Sequence, residues 1–164
     1  SSAVGLDAYQ LQGCLDALLE HLDVDEERVG MIGLSWGGFY TLVNAALDTR
    51  IHAAVASAFL NDDRTAAQIT PQVWYGAANH FHLAEIAALI WPRPLCVEIG
   101  QQDGHVVVTH ADEEAARIER WYDTLELHEQ FRYDKNEGGH EFGKTDDGIH
   151  FLMDALSVNE NRSA

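Results

Sequence analysis

The apolar run "RVGMIGL" at residues 28–34 passes directly into "SWGGFYTLVNAALD", a stretch of helical composition. The run is too brief for a helix and lies between turn signals, so it predicts a strand buried on both faces. Three further runs read as strands: "IHAAVASAF" (51–59), "PLCVEIG" (94–100) and "EQFRYDK" (129–135). Helical patterns lie between and around them. Leu11, Leu15, Leu18, Leu19 and Leu22 repeat at helical spacing with Gln12, Asp16 and Glu20 between them, which predicts an amphipathic helix over 7–22. Residues 37–48 predict a second helix, "FHLAEIAALI" a short one leading to "WPRPL", a further stretch separates the last two strands, and 145–157 closes the chain. Strand and helix alternate from one end to the other, which implies an α/β fold: a parallel sheet with right-handed crossovers and helices on both faces.

A length of 164 residues with 46% hydrophobic content supports one domain over 1–164, with an irregular insertion near 61–80 where no periodicity is visible. Acidic residues outnumber basic ones 27 to 10, a formal charge of -17 that excludes nucleic acid and anionic membranes as natural partners. Such an excess repels itself in dilute buffer and is tolerated where salt screens it, so a salt-loving source stands beside an ordinary acidic cytosolic protein. Cys14 and Cys96 fall mid-helix and mid-strand, which predicts buried free thiols in a reducing, cytoplasmic compartment. No apolar run approaches the roughly 20 residues that span a bilayer. The start, "SSAVGLDAYQ", lacks the regions of a signal peptide and an initiator methionine, so the chain reads as trimmed or as part of something longer.

The junction "GLSWGG" raises a question of its own, because neither a strand nor a helix favours glycine there. Gly33, Ser35 and Gly37 form GxSxG directly after a predicted strand and before a predicted helix, the context of a nucleophile elbow. In an elbow the serine adopts a strained backbone, and the neighbouring glycines are expected because a Cβ would collide with the adjoining strand and helix. The hydroxyl then lies at the positive end of the helix dipole, with the Trp36 N–H aimed where an oxyanion would form. A glycine-rich turn without chemistry fits the same letters.

A serine hydroxyl needs a base to take its proton, so the reading requires an acid and a histidine further along, in that order. Asp103 follows "PLCVEIG" at the carboxyl end of a parallel strand, where sites of open α/β sheets gather. Glu98 is the rival acid, set within the strand and less able to reach. His140 follows "NEGG" after the last predicted strand. Alone, each would be a cap or an idle loop residue; together, behind an elbow, they read as a triad of Ser35, Asp103 and His140. "HFH" (80–82) and "DGH" (103–105) have no third cluster at ligand spacing, so neither metal nor cofactor is expected. Trp74, Tyr75, Phe81 and Trp91 either line an acyl or alcohol pocket or pack a loop onto the core.

The stretches "VDEERVGMIGLSWGG", "ALDTRIHAAVASAF", "LAEIAALIWPRPLCVEIGQQD" and "NEGGHEF" resemble the α/β-hydrolase fold, and within it the acetyl xylan esterase and dienelactone hydrolase-like serine hydrolases, over nearly the whole chain. The resemblance implies Ser35 as nucleophile, Asp103 as the acid that orients the base, His140 as the base and Trp36 as one oxyanion donor. "GLSWGGF" also resembles the catalytic domain of prolyl oligopeptidase-type peptidases. Hydrolases of this fold usually carry a further half ahead of the first helix seen here, with strands flanking the nucleophile strand and a loop giving the second oxyanion donor. The resemblance therefore implies the C-terminal half of the fold with N-terminal strands absent, and leaves the strand at 28–34 as an open apolar edge, an aggregation hazard. A homo-oligomer contact, a complementing N-terminal segment or a reduced fold would answer that. The expected function is hydrolysis of small-acyl carboxylic esters through an acyl-enzyme, with a small-molecule ester as the partner. An oligopeptidase-type serine peptidase and a non-catalytic fragment or assembly module retaining the elbow are the alternatives. One missing oxyanion donor would cost about 2.7–4 kcal/mol of transition-state stabilisation.

Overall fold

The computed structural model describes residues 3–21, 23–61 and 81–157. Helix α1 (Ala3–His21) leads through a 3-10 turn into strand β1 (Gly30–Leu34), helix α2 (Trp36–Leu47) and strand β2 (Ala53–Ser57). Helix α3 (Leu83–Ala88) then precedes β3 (Leu95–Gly100), α4 (Val108–Thr124), β4 (Phe131–Asn136) and α5 (Asp147–Leu156). The expected insertion at 61–80 lies, after Asn61, outside the described residues.

Among the described residues the strands form one parallel sheet in the order β1-β2-β3-β4. Sheet order follows chain order because each crossover returns to the neighbouring position with the same hand. Every strand therefore ends at the same sheet edge, and the loops that leave those ends share one rim.

Side chains alternate across the pleat, so Ala54, Ala56, Leu95, Val97 and Ile99 all face one side. There they meet Leu42 and Ala45 of α2, Ala84 and Ala87 of α3, and Ile118 and Tyr122 of α4, with Val4 and Ala8 of α1 outside α2. Leu42, Leu95, Ile99 and Ile118 are fully buried, and each large apolar side chain so removed from water contributes about 1.5–3 kcal/mol. The small alanines of β2 let the helices approach closely.

The opposite face is covered differently. α5 lies on β2 and β3 there, and Leu152 and Leu156 close over Gly30. Ile32, which shares that face with Val55, stays 39% exposed, and Met153 of α5 is 61% exposed. The expectation that 28–34 is a strand buried on both faces is thus corrected, since none of the five residues of β1 is fully buried; the expected open edge is found, with β2 the one strand beside it among the described residues. The last helix lies on β2 and β3, so it leaves that face of β1 only partly covered, which an apolar run within β1 does not report. Cys14 is also corrected. It sits on the exposed side of α1, whereas Cys96 is buried in β3; both are free thiols.

Candidate active site

Steric exclusion builds the turn between β1 and α2. Only Ser35 separates Leu34 from Trp36, so that one residue must reverse the chain. It does so at φ 58° and ψ −121°, a conformation that costs a non-glycine residue about 1–3 kcal/mol. The Ser35 N–H donates to Ser57 O at 2.8 Å, and its carbonyl accepts from Phe39 N–H at 3.0 Å. Sheet on one side and helix on the other thus hold the strain in place. A Cβ on Gly33 would stand 2.2 Å from Gly37 O, and one on Gly38 would stand 2.7 Å from Ser57 O. A Cβ on Gly37 would meet nothing within 4 Å, so the expected collision fails there and belongs to Gly38, where the helix passes closest to β2.

Ser35 Oγ caps nothing in the helix it precedes. Trp36 supplies the first amide of α2, which has no acceptor inside the helix and sits at its positive end. Its indole packs edge-on to Phe39 at 5.9 Å and against Phe59 at 5.4 Å, which anchors the helix start to the end of β2.

Two more strand ends bring an acid and an imidazole together. Asp103 closes a turn onto Gly100 O at 3.1 Å, just past the end of β3. The loop after β4 is drawn over the end of β3: Gln101 N–H donates to Asn136 O at 2.8 Å and Gln102 N–H to Gly138 O at 2.9 Å. Gly100 permits that crossing, since a Cβ there would lie 2.3 Å from Gly139 O. His140 Nδ1 consequently sits 2.8 Å from Asp103 Oδ2. Asp103 Oδ1 accepts the His105 N–H at 2.7 Å, and the Asp103 side chain is wholly buried while His140 is 29% exposed. A buried carboxylate that accepts from Nδ1–H fixes the imidazole tautomer and leaves Nε2 as the available base. The His105 ring stacks on His140 with centroids 4.6 Å apart.

Ser35 shares the rim with this pair, and no hydrogen bond between the described residues joins its hydroxyl to His140. Such contacts are often long without substrate and tighten only in the complex. Glu98 points elsewhere: its buried carboxylate accepts from Ser57 Oγ–H and from the amides of Gly143 and Gly148.

Residues 2–84, half of the chain and the part bearing the elbow, match the family model described as acetyl xylan esterase (AXE1). The chain belongs to the acetyl xylan esterase family. This family member is 32% identical over 106 residues to YtaP of Bacillus subtilis (strain 168), provisionally named a hydrolase, covering 60% of this chain and 36% of that one. It superposes on the glucuronoyl esterase from Solibacter usitatus with a TM-score of 0.78 at 20% identity, over 94% of this chain and 49% of the other. For the glucuronoyl esterase catalytic domain from Hypocrea jecorina the TM-score is 0.74 at 18% identity, over 95% and 52%. The fold is that of the α/β-hydrolases. The acetyl xylan esterase family chain spans between about a third and a half of the length of these relatives.

Of the aromatic residues expected near a pocket, Trp74 and Tyr75 lie outside the described residues. Phe81, just ahead of α3, is half exposed. Trp91 is corrected. It precedes β3, at the opposite edge of the sheet from Ser35, and lines a surface hollow with Trp121, Tyr122 and Leu125. Sequence reasoning passed over Ser57, weighed His105 only as a metal ligand, and weighed Glu98 only as an acid for the imidazole. One signal was present: "AAVAS" and "LCVEIG" each carry a polar residue near the end of an otherwise apolar strand, and a buried polar group needs a partner.

Proposed function

We propose that this chain carries the catalytic residues of a serine carboxylesterase that cleaves esters of small acyl groups through an acyl-enzyme. The reading rests on the strained Ser35 at the tip of the β1–α2 turn, on the same rim as the Asp103–His140 pair. In this mechanism Ser35 Oγ attacks the ester carbonyl carbon while its proton passes to His140 Nε2. Asp103 stays ionised and stabilises the imidazolium. The Trp36 N–H donates to the oxyanion, the alcohol leaves with the proton from His140, and a water activated by the same imidazole hydrolyses the acyl-enzyme. No step calls for a metal or cofactor. A second oxyanion donor and a cover for the open edge of β1 come, in this proposal, from a further polypeptide segment set beside that strand. Free thiols at Cys14 and Cys96 support a cytoplasmic location.

An activated acetyl ester tests the reading. The wild-type chain is expected to release a burst of alcohol, and Ser35→Ala none; equal release from both would refute it. Preferential cleavage of a peptide anilide would transfer the same residues to peptidase chemistry. A fluorophosphonate that leaves Ser35 unlabelled would reduce the elbow to inherited architecture.

A further inference from the structure

We infer that Glu98 is a positioning residue that ties the nucleophile's side of the rim to the histidine's side. The inference rests on the esterase reading above. Glu98 sits in β3, with Ser57 beside it in register on β2, and it is 3% exposed. Its Oε2 accepts the Ser57 hydroxyl at 2.5 Å and the Gly143 N–H at 3.5 Å, and its Oε1 accepts the Gly148 N–H at 3.0 Å. These three donors belong to three segments of the rim. Ser57 is the residue whose carbonyl holds the Ser35 amide, so its placement sets where the elbow begins. Gly143 lies in the loop that carries His140, just beyond it. Gly148 lies in the first turn of α5, where orphan amides and the helix dipole favour a negative charge. The Glu98 backbone completes the tie, since its carbonyl accepts the Ala58 N–H at 2.8 Å.

The Glu98 carboxylate can accept from all three donors at once. It is acceptor-only, with about four lone-pair sites, whereas an amide of the same shape presents N–H to one side and sets donor against donor. Glu98 is too far within the sheet to touch a reacting ester, and it makes no contact with the imidazole that would let it replace Asp103. Its effect on the reaction is geometric. It holds Ser57, and through it Ser35, at a set height relative to the loop that delivers His140. A misplacement of reacting groups by about 1 Å is enough to cost a large rate factor.

The test compares wild type, Glu98→Gln, Ser57→Ala and Ser35→Ala in steady-state hydrolysis of an activated acetyl ester, with rates expressed per folded molecule from circular dichroism. Glu98→Gln is expected to lower kcat roughly tenfold, the worth of one hydrogen bond to a charged group, with KM unchanged. Ser57→Ala keeps the charge and removes one donor, and is expected to lower kcat about fivefold, again at constant KM. Loss of substrate binding instead would raise KM, and mere support of the fold would lower only the melting temperature. If both variants turn over at the wild-type kcat while Ser35→Ala is inert, the positioning role is overturned and the esterase reading stands. If Glu98→Gln does not fold, Ser57→Ala decides by the same criterion. A wild type no faster than Ser35→Ala sinks the esterase reading, and this inference with it.

Discussion

Gly33 and Gly37 occupy equivalent letters of one motif and do opposite things. At Gly33 an added methyl would overlap the Gly37 carbonyl at 2.2 Å, and that carbonyl is backbone fixed by the helix start. Gly33→Ala is expected to destabilise the chain by about 1–3 kcal/mol or more, as overpacking in a rigid site does. Gly37→Ala is expected to be neutral or to stabilise by up to about 0.5–1 kcal/mol, because its Cβ faces open space and alanine restricts the unfolded chain. Urea unfolding of the two variants decides, and equal losses would contradict the steric account. The motif alone shows that glycine is used on both sides of Ser35. Which glycine is obligatory depends on where the helix runs relative to β2, and no window of local sequence holds that. Cys14 and Cys96 divide in the same way: both fall in the middle of an element, yet only Cys96 has a helix-covered sheet around it, and burial there pushes its thiol up to about 12.

At the scale of elements, helices and strands were legible because period and turn chemistry act within ten residues or so. What clamps them was not. Arg50, in the loop between α2 and β2, donates to Asp48 at 2.6 Å and reaches Asp16 on α1 at 2.7 Å. The Arg50 hydrogen bond, opposed in part by burial, holds the Asp48 carboxyl below its usual value. A depressed carboxylate contributes stability that is present above its unfolded pKa, near 3.8, and lost as pH falls through the lower folded value. Arg50→Ala is therefore expected to cost about 1 kcal/mol or less near pH 6, since Arg50 and Asp16 are half exposed, with the difference from wild type narrowing below pH 4. Urea midpoints at pH 6 and pH 3 measure it, and a gap that widens in acid would refute the clamp.

For the whole molecule, charge is the dominant feature. A net charge of -17 spread over a chain of this size disfavours the compact state at low ionic strength. Potassium chloride raised from about 0.05 to 1 M shortens the Debye length to about 3 Å and should raise the melting temperature. Each 1 kcal/mol of relieved repulsion is worth about 2–4 °C at this length. A flat or falling curve would return the composition to that of an ordinary acidic protein.

The order of strands and helices, the parallel α/β class and the serine at a strand-to-helix turn were set by local pattern, because each is decided by residues a few positions apart. Tertiary structure decided that Ile32 of β1 stays exposed, that Gly38 rather than Gly37 meets a strand, and that Glu98 is taken up by Ser57 and the amides of Gly143 and Gly148. Asp103 and His140 lie 37 positions apart, and their 2.8 Å contact exists only because the loop after β4 folds back over Gly100. Contacts of that range depend on how the sheet stacks its strands and leaves room above their ends, a property of the packed chain and of no single stretch within it.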